Sequence, residues 1–168
     1  MAIVARDSSG RQPIQYNLTM REMAAELAAV VERSAPVLRA IGDRDASAPV
    51  LPGGWSRKQV IGHLIDSASN NHQRWVRAGL AGSLVWPNYD QDGCVRVQAF
   101  QEASWPMLLD VWEALNRLLA HVLAHLPAGS SGASCRIGDH DPIPLAELTR
   151  QYVAHMQHHL DQIATPDS

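Results

Sequence analysis

Four amphipathic segments, each with signals of a helix terminus, limit the folds open to this chain of 168 residues. In each segment, apolar residues recur at the three- and four-residue spacing of an α-helix, and no strand-like alternation competes with that pattern. Capping boxes begin the first two segments, where Thr19 is paired with Glu22 and Ser56 with Gln59. Four such helices in one chain predict an all-α four-helix bundle.

Terminal signals also predict the extent of each helix. Pro36 is expected to kink or divide the first helix, because proline lacks a backbone donor. Gly82 is one expected stop of the second helix, and Asp141, in the sequence Asp-Pro-Ile-Pro, is the expected cap of the fourth. The predicted spans are 19–41, 56–77, 104–126 and 141–163.

The connection between the second and third helices, residues 80–103, is longer than a usual helix connection. Its Val95 and Phe100 predict a short extra helix within this connection. Residues 1–16 precede the first helical signal and are expected to form an N-terminal tail. Residues 17–165 are expected to form a single helical-bundle domain.

Charge and hydropathy argue against two classes of partner. The net charge is −3 and there is no run of Lys or Arg, whereas a nucleic-acid-binding protein normally carries a basic stripe. No apolar stretch approaches the roughly 20 residues of a membrane span, and the amino-terminal segment lacks the apolar core of a secretory signal. We therefore expect a cytoplasmic protein, monomeric or homodimeric, that binds a small-molecule substrate. Cys94 and Cys135 are expected to be reduced and structural.

Two histidines of the fourth helix, His155 and His159, lie one turn apart on a side that Leu, Tyr, Met and Ile otherwise build. Imidazoles at this spacing can bind one metal ion at roughly 2.0–2.1 Å. Two histidines satisfied by hydrogen bonds are the alternative. His158 lies towards the polar side, and His121 and His125, which have the same spacing, are expected to face solvent among charged neighbours.

A third ligand has to come from another helix, and the second helix offers His63 and His72. The two histidines flank its inner face on opposite sides, so the helical wheel does not choose between them. Beside His63 runs a polar stripe of Ser67, Asn70, Asn71 and Arg74. A polar stripe beside a buried face is typical of a pocket wall. The alternative is an ordinary contact between two helices. We expect Ser67, Asn71 and Arg74 to line the substrate pocket.

The chain resembles the DinB-like superfamily, in its DinB_2 or YfiT-like branch, in three segments: GGWSRKQVIGHLIDSASNNHQRWVRA, NYDQDGCVRVQAF and YVAHMQHHLDQI. The resemblance spans residues 17–164. It implies a four-helix bundle that holds one divalent metal ion at one end, through one histidine of the second helix and two of the fourth. On this chain those ligands are His63 in GHL, and His155 and His159 in HMQHHL.

Several activities are compatible with this resemblance. Related proteins include S-transferases that use bacillithiol, mycothiol or glutathione, a maleylpyruvate isomerase, and metal-dependent hydrolases. Three neutral imidazoles leave the ion an open position, which can take a water molecule or a thiolate. We expect first a metal-dependent transferase that joins a low-molecular-weight thiol to a small electrophile. A metal-dependent hydrolase and a non-catalytic, metal-binding stress-response bundle are the alternatives.

The metal and the general base are not determined by the sequence. Three histidines suit zinc, nickel, copper and iron alike. Asp66 is expected to point away from His63, whereas Asp90 and Asp92 lie in the long connection and could close over the metal. Arg74 lies about three turns along from His63, so it could anchor an anionic group of an elongated thiol roughly 15 Å away.

Overall fold

The computed structural model describes residues 18–164. Four long helices dominate it and confirm the predicted helical bundle. In chain order the elements are α1 (Met20–Arg39), α2 (Asp43–Ala46), α3 (Arg57–Ala81), β1 (Ser83–Trp86), α4 (Gln91–Val97), α5 (Trp105–His125), β2 (Ser134–Ile137), β3 (Ile143–Pro144) and α6 (Leu145–Ala164). The predicted tail, residues 1–16, lies outside the described residues, and the domain bounds stay a prediction.

The predicted caps form at the beginning of three long helices. In α1 the Thr19 hydroxyl accepts a hydrogen bond from the Glu22 backbone N–H, and the Glu22 carboxylate accepts one from the Thr19 N–H at 2.7 Å. Ser56 and Gln59 form the same reciprocal pair before α3, and Ser104 caps α5. These bonds satisfy backbone donors that the first helical turn leaves open.

Of the two outcomes predicted for Pro36, division of α1 does not occur, because the helix runs unbroken to Arg39 although proline removes one of its hydrogen bonds. The end of the second long helix also differs from its predicted bound. The α3 helix extends to Ala81, four residues beyond the predicted Arg77. It ends there because Gly82 adopts a left-handed conformation, with φ of 72°, and its N–H bonds the carbonyl of Ala78.

A small sheet accompanies the bundle, although no strand-like alternation is apparent in the sequence. The β1 strand pairs in parallel with β2, with Leu84 opposite Cys135, and β2 pairs antiparallel with β3, with Cys135 opposite Ile143. Because β3 occupies residues 143 and 144, α6 begins at Leu145 and the predicted cap at Asp141 is wrong. Strands of four, four and two residues are too short to show a clear alternation.

The order of helices around the bundle positions the site. The α1 helix packs against α5 and α6, and α3 packs against the same two helices. The α3 and α6 helices are therefore neighbours. Twelve large side chains are fully buried in the core: Met23, Leu27, Leu38, Ile61, Leu64, Trp75, Leu108, Trp112, Leu119, Leu123, Leu145 and Met156. Burial of each contributes about 1.5–3 kcal/mol, so the bundle has an apolar core independent of any bound ion.

The long connection contains the predicted short helix, α4, and returns to α3 through Phe100. Phe100 is buried against Gly62, where a Cβ atom would lie 2.2 Å from two atoms of the phenyl ring. Glycine is therefore needed at position 62 for this close approach, one residue before His63.

Both cysteines are free thiols, Cys135 buried and Cys94 half-buried, as expected. Within residues 18–164, every helix is too short or too polar to span a bilayer.

Candidate metal centre

Three histidines converge where α3 and α6 face each other. His63, in the second turn of α3, is 1% exposed, and His155 and His159 are half-buried on successive turns of α6. His63 Nε2 lies 3.0 Å from His155 Nε2, and the ring centroids of His155 and His159 are 4.5 Å apart. One nitrogen from each ring lies within 4.8 Å of the other two, and residues 18–164 contain no other group of three or more His, Cys, Asp or Glu placed this way.

The spacing of these nitrogens fits one divalent ion. Ligand nitrogens at 2.0–2.1 Å from the ion lie about 2.8–3.0 Å from their neighbours in an octahedral site and about 3.3–3.4 Å in a tetrahedral one. The Nε2 atoms of His63 and His155 are already 3.0 Å apart, so an ion would need little movement of either ring.

Burial keeps the three rings in the neutral form that binds metals. Together with smaller effects from the neighbouring His155 and His159, it lowers the pKa of His63 to about 4. It also lowers the pKa of His155 to about 4, with smaller effects from His159 and His158. The pKa of His159 is lowered for the same main reason. Near neutral pH each ring is therefore uncharged and has one lone pair with which it can bind a metal.

Outer contacts orient two of the rings. His159 Nδ1–H donates to the Gln162 amide oxygen at 2.9 Å, which leaves the Nε2 lone pair free to bind a metal. The Gln162 amide group donates in turn to His158 Nε2 at 3.1 Å. His63 Nδ1 is buried without a hydrogen-bond partner in the described chain, and this ring is held by packing, with Trp55 at 5.1 Å between centroids.

The other histidines lie outside the cluster, and one of them, His140, is exposed and lines the cavity described below. His72, the other candidate of α3, is half-buried outside the cluster, so the fold brings His63 to the histidine pair of α6. His121 and His125 are exposed, as expected, and pack against each other at 4.2 Å between centroids. His158 is also exposed. The metal-binding role of the three converging histidines itself stays a prediction from the sequence.

A cavity of about 500 Å³ lies beside the cluster, and His155 forms part of its wall. Ser67, Asn71 and Arg74 line the same cavity and are buried at 5–8% exposure. The structure thus brings the three predicted pocket residues and one histidine of the cluster to the same cavity. Their role in binding a substrate stays a prediction.

Other residues of this wall were missed by the sequence reasoning. Tyr89 lines the cavity from the segment before α4. Cys135 lines it from β2, although its thiol was expected to have only a structural role. Ile137 and Ile143 also line the cavity from the sheet. No local signal could have placed the three sheet residues, because they reach the cavity through strand pairs formed between distant parts of the chain.

No carboxylate of the described residues joins the histidine cluster. Asp90 accepts the backbone N–H of Gly93 at 3.0 Å and caps α4, so the expectation that it closes over the metal is wrong. Asp92 is exposed and lines a separate cavity beside Trp55. Asp66 accepts a hydrogen bond from Gln98 at 2.7 Å and stays outside the cluster, as expected.

Comparisons with known proteins agree with this architecture. The family profile described as "DinB superfamily" matches residues 26–163. A protein of Bacillus pumilus (strain SAFR-032) described as "Putative metal-dependent hydrolase" is 27% identical over 151 residues, which cover 88% of this chain and 86% of that protein. A solved structure, described as "YfiT from Bacillus subtilis is a probable metal-dependent hydrolase with an unusual four-helix bundle topology", aligns with a TM-score of 0.73 and 21% identity, over 95% of this chain and 89% of that one.

The structural likeness shows that the two proteins share a fold. The family profile covers most of the chain, including all three converging histidines. The protein belongs to the DinB superfamily.

Proposed function

We propose that this protein is a metal-dependent hydrolase that binds one divalent ion through His63, His155 and His159. The observation that carries the proposal is the convergence of three neutral imidazoles, one of which, His155, lines a cavity of about 500 Å³. The descriptions of the Bacillus pumilus relative and of the Bacillus subtilis structure as metal-dependent hydrolases support it.

Neutral ligands suit catalysis because they leave the charge of the ion uncompensated. When bound, a divalent ion supplies Lewis-acid chemistry, polarising a carbonyl group and making water a stronger nucleophile near neutral pH. In hydrolysis, the oxygen of water adds to the carbonyl carbon, the bond from that carbon to the leaving group breaks, and a proton from water passes to the leaving group.

Other residues orient the ligands, admit the substrate and shape the cavity wall. Gln162 holds the tautomer of His159 through the bond to Nδ1. His155 faces the cavity, so a substrate reaches the cluster from that side. Leu148 and the sheet residues Ile137 and Ile143 give part of the wall an apolar surface that excludes water from the bound substrate.

Thiol transfer, the activity expected first from the sequence, stays an untested prediction. The relatives named above favour hydrolysis over it. The same open position would accept a thiolate, so one set of assays has to separate the two reactions.

The test begins with elemental analysis of the purified protein, which identifies the bound metal. The loaded protein is then assayed on a panel of esters and amides, with and without bacillithiol or glutathione. We expect turnover that needs no thiol, is removed by a chelator, and is lost in His159→Ala but kept in His121→Ala. Turnover only with thiol would replace hydrolysis by thiol transfer, and full metal occupancy without turnover would favour the non-catalytic alternative.

A further inference from the structure

Arg74 is a buried cation without an anionic partner among residues 18–164. The residue is 8% exposed, and its Nε is buried with no hydrogen-bond partner. The ion pairs of the described chain involve other cations: Arg39, Lys58, Arg117 and Arg150. A guanidinium stays protonated in proteins, so its burial is costly unless an anion compensates it.

The guanidinium side chain faces the cavity that reaches the histidine cluster. Among its lining residues Arg74 is the one lysine or arginine. The Tyr89 phenol lines the same space and interacts electrostatically with Arg74, while burial raises the pKa of Tyr89 and so keeps its O–H donor. Asn71, which lies between Ser67 and Arg74 on the stripe, has a buried Oδ1 without a partner. The cavity is therefore lined by a cation (Arg74), a hydrogen-bond donor (Tyr89) and a residue with an unpaired acceptor (Asn71).

The charge balance favours a carboxylate over a phosphate. One guanidinium matches one negative charge and can form two parallel hydrogen bonds to a carboxylate. A dianionic phosphate would keep part of its charge uncompensated. The acidic residue on this wall, Asp141, is exposed and adds repulsion for a second negative charge.

The distance between Arg74 and the histidine cluster indicates how long the ligand has to be. Positions 63 and 74 are about 16 Å apart along the axis of α3, and helical side chains lean towards the amino terminus, which brings the guanidinium closer to the cluster. The apolar side chains Ile137, Ile143 and Leu148 line the same cavity. An elongated molecule with an apolar middle fits these surroundings better than a compact one.

We propose that Arg74 binds a carboxylate of the substrate, and that the substrate is a monoanionic ester or amide whose reacting carbonyl is separated from this carboxylate by an apolar spacer. This inference rests on the proposed function, because it names the substrate class of the same site. Arg74 acts here as a binding residue and takes no part in proton transfer.

Calorimetric binding to the metal-loaded chain tests the inference with three matched probes. These are 6-acetamidohexanoate, the neutral N-hexylacetamide, and 6-acetamidohexyl phosphate. We expect the carboxylate to bind about tenfold or more tightly than the neutral amide, and more tightly than the phosphate. Repeating the titrations on metal-free protein separates binding at Arg74 from direct ligation of the ion, and the preference for the carboxylate should persist.

Arg74→Gln should abolish the preference for the carboxylate while metal occupancy and the affinity for N-hexylacetamide stay unchanged. The matched control is Arg77→Gln, since Arg77 is an exposed arginine one turn along the same helix, 5.5 Å above the Trp86 ring. Should Arg74→Gln fail to fold, Arg74→Lys decides, because lysine keeps the charge but cannot form two parallel hydrogen bonds and should lower the affinity for the carboxylate.

Three results would overturn the inference: equal binding of the carboxylate and the neutral amide, tighter binding of the phosphate, or unchanged binding of the carboxylate in folded Arg74 variants. A carboxylate preference that depends on Arg74, without hydrolysis of any ester or amide, would support the anion site and contradict the proposed hydrolase instead.

Discussion

His63 Nε2 lies 3.0 Å from His155 Nε2, although 92 positions separate the two residues in the chain. Both rings are neutral near pH 7, because burial lowers the pKa of each to about 4. In the metal-free chain one of the two Nε2 atoms can carry a proton and donate it to the lone pair of the other. An ion shared with His159 would engage a lone pair of all three rings at once.

Metal binding should depend on the three converging histidines. We expect His155→Ala or His159→Ala to abolish stoichiometric binding, because each removes one of three ligands. Elemental analysis after dialysis measures the loss. His121→Ala and His158→Ala are the controls, since both residues are exposed and outside the cluster. Full occupancy in His159→Ala would contradict the assignment.

The choice of the third ligand has its own matched pair on α3. We expect His63→Ala to remove binding and His72→Ala to preserve it, because only His63 reaches the pair on α6. Equal metal content in the two variants would show that His63 is not a ligand.

Gln162 should tune the affinity for the metal without binding it. Gln162→Ala removes the acceptor of His159 Nδ1–H, at 2.9 Å, and should weaken metal binding about 10–100-fold. Competition against a chelator of known affinity measures the change. Gln157→Ala is the control, because Gln157 bonds Arg33 and Asp161 away from the cluster. A similar loss in both variants would contradict this role of Gln162.

Bound metal should stabilise the fold, because its ligands come from α3 and α6 and the ion joins the two helices. Free metal at 100 times its dissociation constant should add about 2.7 kcal/mol to the free energy of unfolding. Thermal unfolding with and without a chelator measures this gain. The metal-free protein should keep its helical circular dichroism, since the apolar core is complete without the ion. Loss of helical signal on stripping would mean that the metal has a larger structural role.

The metal-free protein should lose stability as the pH falls from about 6.5 to about 4. The pKa of His63 and His155 is about 4 in the folded chain and about 6.5 in the unfolded chain. The unfolded chain therefore binds protons first, so this contribution is fully present above pH 6.5 and lost towards pH 4. Urea unfolding at a series of pH values measures it. The double variant His63→Gln, His155→Gln should show a smaller decrease, and an unchanged decrease would assign the effect to other groups.

Gly62→Ala should destabilise the bundle by about 1–3 kcal/mol, because the added Cβ meets the Phe100 ring at 2.2 Å. Denaturant unfolding measures the change. Gly79→Ala, on the same helix, is the control: its Cβ would meet the flexible end of Leu126 at 3.0 Å, which can move aside. Equal stability of the two variants would show that Phe100 does not need this glycine.

The four long helices and the histidine pair of α6 can be read from local sequence, apart from a few residues at the helix ends. Capping at Thr19, Ser56 and Ser104 depends on residues three positions apart, and such local interactions can be read from the chain. His155 and His159 are likewise one turn apart, so their common side follows from helix geometry alone.

The rest of the site depends on how the helices and strands pack together. The helical wheel left His63 and His72 equivalent, and the family resemblance singled out His63; the contact between α3 and α6 is what places its ring against the pair. The strands that bring Cys135 to the cavity pair residues far apart in the chain and are too short to show a pattern. Contacts of this kind depend on how whole elements pack, which no local spacing encodes.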